Sequence, residues 1–263
     1  MRGLLAAAVR RAGAPGRIRF TERQLYYELC RTLHPLCRAP RRPAFTVPAP
    51  VGYRRFQAML ERWPGAVPGL LTGPREPAPA PAPEVFDYGL PRVLLCQHRG
   101  IADMLLANRL HMESACPVFA LDDLPLDPRL PDSVRRGDGR VYVLHDASLA
   151  GLAAVAAVRG WAGEVPVAPL GLRPAHAAAL HLPRIRRRQA NGTDAPGESL
   201  EPWEVRWLRS GRAAEVAAVN PARLLRTVHR LVRNQSRRRR TLPRLRRLSA
   251  AGFLSWPDPG GSA

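Results

Sequence analysis

The chain contains no lysine. All 41 of its basic residues are arginine, and only 21 acidic residues oppose them, which leaves a formal charge of +20 over 263 residues. Carboxylate is therefore too scarce to neutralise the surface, and an anionic partner is expected. Cysteine is also sparse. Cys30, Cys37, Cys96 and Cys116 form no CxxC pair and have no histidine spaced to complete a zinc site, so they read as buried thiols in a reducing compartment. Long apolar runs are missing. The opening MRGLLAAAVRRAGAPGR is too short in its apolar stretch to span a bilayer and lacks the small-residue cleavage pattern of a secretory signal. Its acid-free, arginine-rich character faintly resembles an organelle transit peptide, but arginine recurs throughout the chain. A cytoplasmic protein with no membrane partner is expected. There is no internal repeat and no Walker-type phosphate loop.

What is present is enough apolar material, 46% of residues, to bury a sizeable core in one large or two modest domains. Guanidinium forks match phosphate oxygens bidentately and displace condensed counterions, so the arginine surplus reads as nucleic-acid binding, with duplex DNA the favoured partner. The competing explanation is compositional. Abundant Ala, Pro, Gly and Arg without Lys is what a GC-rich coding bias would produce.

Residues 74–83 (PREPAPAPAP) cannot sustain helix or sheet hydrogen bonding and read as a stiff, extended spacer. Before it, Thr21-Glu22-Arg23-Gln24 matches a capping box with Phe20 and Leu25 as its hydrophobic staple, which predicts a helix starting at Glu22. A second helix is expected over residues 53–63, where Phe56, Met59, Leu60 and Trp63 recur at helical spacing. After the spacer, short apolar strands alternate with helices. Strands are expected at residues 92–96, 117–121, 141–145 and 165–170, and helices at 101–110 and 149–159, the pattern of a parallel sheet with covering helices. A polar loop over 191–201 precedes helical patterns at 203–208 and 221–232. The second of these is amphipathic and leads into the Arg237–Arg240 run.

On the first predicted helix, Arg23, Tyr27 and Arg31 are four apart and share a face, while Leu25, Tyr26, Leu29 and Leu33 form the apolar stripe. Tyr27 is thus expected to be the exposed tyrosine. A phenol between two guanidinium groups would have a stabilised phenolate beside a phosphate clamp, as nucleophilic attack on a phosphodiester requires. The alternative is an ordinary amphipathic helix with solvated arginines. In parallel α/β sheets ligands sit beyond the carboxyl ends of the strands, and two strands here end in Gln97-His98 and His145-Asp146. His98, His111 and His145 have no metal-ligand spacing and read as locally hydrogen-bonded.

The segments VLLCQHRGIADMLLANRL and VYVLHDASLAG resemble the first strand and helix and the acidic strand of a Toprim domain. Together with Arg23-Gln24-Leu25-Tyr26-Tyr27 and Leu170-Gly171-Leu172-Arg173-Pro174, they look like the A subunit of topoisomerase VI and its meiotic double-strand-break relatives. The likeness covers roughly residues 17–178. It implies a winged helix joined to a Toprim domain, and a transesterase in which a tyrosine attacks DNA beside carboxylate-held magnesium. Tyr27 would be the nucleophile, Arg23 its preceding arginine, and Asp146 the first residue of the Asp-x-Asp pair. The family's tyrosine and carboxylates meet across a homodimer, and an ATPase partner subunit is a further expectation.

Two positions depart from that pattern. Gln97 stands where the family has glutamate, and Ser148 where it has the second aspartate. Magnesium prefers carboxylate oxygen and keeps its waters, so a site of Asp146, Gln97 and Ser148 should hold it weakly or not at all, with Asp122 or Asp123 as partial compensation. Ser148 is also placed to N-cap the next helix. The Arg184, Arg186, Arg187, Arg188 cluster, Arg31, and Arg237, Arg238, Arg239 and Arg240 are the expected phosphate contacts.

The expected architecture is α/β: a small helical winged-helix-like module (1–73), a Pro/Ala linker (74–84), a Toprim-like parallel sheet with flanking helices (85–190), a basic helical extension (191–252) and a disordered tail (253–263). Two functions follow: magnesium-dependent tyrosyl transesterification of DNA, or non-catalytic DNA binding by a protein that has lost the metal site.

Overall fold

The computed structural model describes residues 2–34, 43–73, 89–124, 126–187 and 200–240, with side chains of the last stretch described through residue 233. Helix α1 (Arg2–Gly13) packs on α2 (Glu22–Leu33). The start of α2 is set locally. Thr21 Oγ1 accepts from the Gln24 amide at 3.2 Å and Gln24 Oε1 accepts from the Thr21 amide at 3.0 Å, the reciprocal capping box, with Phe20 and Leu25 both buried. A short strand β1 (Val47–Pro48) and helix α3 (Tyr53–Glu61) complete the part that precedes residue 74.

The rest alternates strand and helix: β2 (Arg92–Cys96), α4 (Arg99–Ala107), α5 (Leu110–Ser114), β3 (Val118–Ala120), a 3₁₀ turn Leu121–Asp123, α6 (Arg129–Arg136), β4 (Arg140–Leu144), α7 (Leu149–Ala162), β5 (Val167–Pro169), α8 (Pro174–Ala179), β6 (Pro183–Arg186), α9 (Pro202–Arg209), β7 (Arg212–Ala213), a 3₁₀ turn Val216–Ala218 and α10 (Pro221–Arg240). Strands β3, β2, β4 and β5 lie side by side in that order, all parallel, as the alternation requires.

Both faces of this sheet are covered. Val93, Leu95, Val141 and Val143 point to a cluster with Leu130 and Val134 of α6 and Val155 and Val158 of α7. Their pleat neighbours Leu94, Cys96, Tyr142 and Leu144 join a larger cluster with α4, α1, α2, α9 and α10. That second cluster runs from Leu5 to Val232, so the chain before residue 74 and the chain after residue 200 share one core with the sheet. A smaller sheet, β1-β6-β7, ties them further: β1 pairs parallel with β6, and β6 antiparallel with β7. The spacer at residues 74–84, most of the 191–201 loop and the tail lie outside the described residues. Cys30, Cys96 and Cys116 are buried and in no disulfide among the described residues. Among the described residues no helix is long and apolar enough to cross a membrane.

Candidate functional site

The polar site lies at the carboxyl ends of β2 and β4. Residues Cys96 and Leu144 are in register, so the residues that follow emerge together. The Asp146 amide donates to Gln97 Oε1 at 2.8 Å. Glycine is needed where the chain returns past this corner. A Cβ on Gly151 would fall 2.3 Å from the Asp146 carbonyl oxygen, and one on Gly171 2.3 Å from the His145 ring. Ala147 pairs with Ala214 in an isolated antiparallel bridge, and this brings the segment after β7 over the site.

That segment supplies Glu215, which no motif in the sequence singles out. Arg23 clasps it with two parallel bonds, Nε to Oε2 at 2.6 Å and a terminal nitrogen to Oε1 at 2.8 Å. Arg187 reaches the same Oε1 at 3.0 Å and lies 3.5 Å from Asp146 Oδ2. His98 Nε2 is 2.7 Å from Asp146 Oδ2, placed to donate, and the Val216 amide donates to Oδ1 at 2.8 Å. The Asp146 side chain is 0% exposed, whereas those of Arg23, Arg187 and His98 are 31%, 36% and 40% exposed. Two buried carboxylates thus sit beneath a partly exposed cationic rim.

The charges respond accordingly. Burial opposes ionisation of Glu215, but the bonds and charges of Arg23 and Arg187 outweigh it and hold its pKa below the ordinary value. The hydrogen bond to Asp146 raises His98 above the usual histidine value despite partial burial. Arg23 also stacks over Tyr53, 4.3 Å from the ring centroid. Tyr53 donates to Glu22 at 2.7 Å, and burial followed by that carboxylate pushes the phenol up to about 12.

Tyr27 is not exposed. It is 0% accessible and among the largest fully buried side chains, and its hydroxyl makes no hydrogen bond of good geometry. Burial first, and then the nearby charge of Glu215, raise its pKa, which disfavours the phenolate that the two flanking arginines were expected to stabilise. Arg23 still lies over it, 5.6 Å from the ring centroid, but directs its guanidinium to Glu215. Arg31 pairs with Glu28, whose Oε1 also accepts from Asn220 at 2.9 Å. Within the chain, Tyr27 and Asp146 are connected through Arg23, Glu215 and Arg187.

The remaining expected metal ligands have other partners. Gln97 turns its amide oxygen to the Asp146 N–H, and Ser148 caps α7 by accepting from the Gly151 amide at 3.0 Å. Asp123 Oδ2 accepts from the Ala120 amide at 2.9 Å and its other oxygen takes Arg99. Magnesium requires several unencumbered oxygens and bound water. Here both Asp146 oxygens are engaged, and the His98 imidazole and the Arg187 guanidinium stand against one of them. The donor set does not fit the ion. No group of three His, Cys, Asp or Glu side chains suited to a metal occurs among the described residues.

No protein-family model, curated protein or solved structure matches this chain. Of the other expected contacts, Arg186 is exposed and Arg184 donates to the Thr46 carbonyl at 2.5 Å. Arg188 and the side chains of Arg237, Arg238, Arg239 and Arg240 lie outside the described residues.

Proposed function

We propose that the chain is a non-catalytic DNA-binding protein of Toprim-like architecture, in which ion pairs between its own side chains stand where the resembling family holds magnesium. The observation that carries the reading is a division among its arginines. Arg23 and Arg187 are neutralised by Glu215 and Asp146. Arg184, Arg186 and Arg212, on the adjoining β6–β7 pair, have no carboxylate partner among the described residues. Internal neutralisation thus leaves these three arginines, gathered on one strand pair, without a counter-charge where phosphate could supply it. The parallel order β3-β2-β4-β5, with Gln97 and Asp146 at neighbouring strand ends, supports the Toprim-like comparison.

Binding to a labelled DNA duplex should be equal in magnesium and in a chelator, and unaffected by Tyr27→Phe. Denaturation after incubation with supercoiled DNA and magnesium should yield no covalent complex. A covalent adduct that disappears in Tyr27→Phe would overturn the reading in favour of the transesterase. The proximity of Arg23 and Tyr27 to two carboxylates in one cluster is the observation that favours that second reading. It demands that Tyr27 leave its buried position and ionise, against the direction in which its surroundings shift it.

A further inference from the structure

Away from the Asp146 site, Phe45, Trp203 and Trp207 line a pocket of about 490 Å³ whose walls also carry Arg184 and Arg212. The volume lies within the range of small-molecule sites. Trp203 and Trp207 are one turn apart on α9 and share a face. Trp207 is buried and anchors the helix, while Trp203 keeps 41% of its surface exposed. Trp203 thus presents an indole at the pocket mouth against which a planar group can stack. The aromatic walls are held in place. Phe45 stacks on His181 at 4.2 Å and 19° between planes. Glu204 on α9 is fully buried and accepts from Arg173 at 2.5 Å and from the amides of Ala175 and Glu201, both at 3.0 Å.

The charged side of the pocket is left uncompensated. Arg186 and Arg212 are direct partners across the antiparallel β6–β7 pair, an arrangement in which like charges destabilise the sheet. Arg184 is held below its ordinary pKa by burial, and then by Arg212 and Arg186. None of the three pairs with a carboxylate among the described residues.

We infer that this pocket binds a nucleotide, its base stacked against Trp203 and its phosphate held by Arg184 and Arg212. A bare anion would make no use of the indole, and an apolar ligand would leave the arginines facing one another. A planar aromatic group carrying a phosphate satisfies both. The source is either a free nucleotide or an unpaired residue of a DNA strand. The second source rests on the DNA-binding reading, whereas the first does not.

Calorimetric titration of the full chain with deoxyadenosine monophosphate, inorganic phosphate, short oligo(dA) and a fully paired DNA hairpin tests this. Saturable binding of the mononucleotide or of oligo(dA) is expected, with inorganic phosphate much weaker. Trp203→Leu, at a half-exposed position, should weaken it by about tenfold with an unchanged urea midpoint, and Arg212→Gln should weaken it as well. Tighter binding of oligo(dA) than of the mononucleotide assigns the site to a DNA strand, and comparable binding assigns it to a free nucleotide. Phosphate binding as tightly as the mononucleotide, no binding by either aromatic ligand, or indifference to Trp203→Leu would overturn the inference. Hairpin binding without nucleotide binding would sink the pocket and leave the DNA-binding reading standing, and the converse would do the reverse.

Discussion

Asp146 holds its surroundings together through three different bonds, and it does so with no exposed surface. Replacing it by asparagine keeps an acceptor for the Val216 amide but removes the charge that His98 and Arg187 face. Breaking a buried ion pair on one side leaves cations without compensation; because both partners are partly exposed, the expected loss is about 2–3 kcal/mol rather than the full buried-pair figure. Urea unfolding of Asp146→Asn checks it, and a midpoint equal to wild type would show that the network contributes nothing net. His98 adds a pH dependence with a definite sign. Its pKa is raised in the folded state, so its contribution is complete below the ordinary histidine value and is lost as pH rises through the raised one. Stability measured at pH values from about 6 upward should therefore decline in that window, and His98→Gln should flatten the decline. The site was partly legible in the sequence. Gln97 and Asp146 stood out because each directly follows an apolar strand, but Glu215 and Arg187 meet them only through folding, from separations that no local spacing encodes. His98 reads locally as a self-satisfied histidine, yet its partner lies on the neighbouring strand end.

Helix α2 shows which parts of an element a sequence specifies. Its start follows from a four-residue capping box that acts within one turn, and that was readable. Its exposed face was not, because an apolar stripe implies one covered side, whereas α2 is packed by α1 and also by the Val216–Ala218 turn. Gln24, Tyr27 and Glu28 are consequently buried along with the stripe. The α7 cap offers a cleaner test of role. Ser148→Ala removes the acceptor for the Gly151 amide and should cost about 1 kcal/mol of stability, as N-cap deletions do. If Ser148 only caps, DNA affinity with and without magnesium should be unchanged by the same substitution. A magnesium response that vanishes in Ser148→Ala while stability holds would instead return the hydroxyl to a metal site.

At the scale of the molecule, the question is whether a charge of +20 is a binding surface or a compositional residue. The alternation that predicted a parallel sheet was legible because the central strands β2 and β4 are buried on both faces after their first residue and are apolar there. The joining of residues before 74 and after 200 into the same core was not, since it depends on the two-residue pairing of β1 with β6 and on helices whose apolar faces name no partner. Charge distribution also becomes visible only after folding, when carboxylates take some arginines and leave others. If Arg184, Arg186 and Arg212 bind phosphate, changing all three to glutamine should flatten the dependence of log affinity on log salt by about 2–3, because each phosphate that is no longer neutralised lowers the slope by about 0.9. Anisotropy titrations with one duplex between about 50 and 200 mM salt measure that slope. Stability should change little, because relief of the repulsion between Arg186 and Arg212, direct partners across β6 and β7, offsets loss of the Arg184 bond to the Thr46 carbonyl. A slope equal to wild type, with the variant folded, would mean that duplex binding draws on arginines elsewhere in the chain and that these three serve another anion.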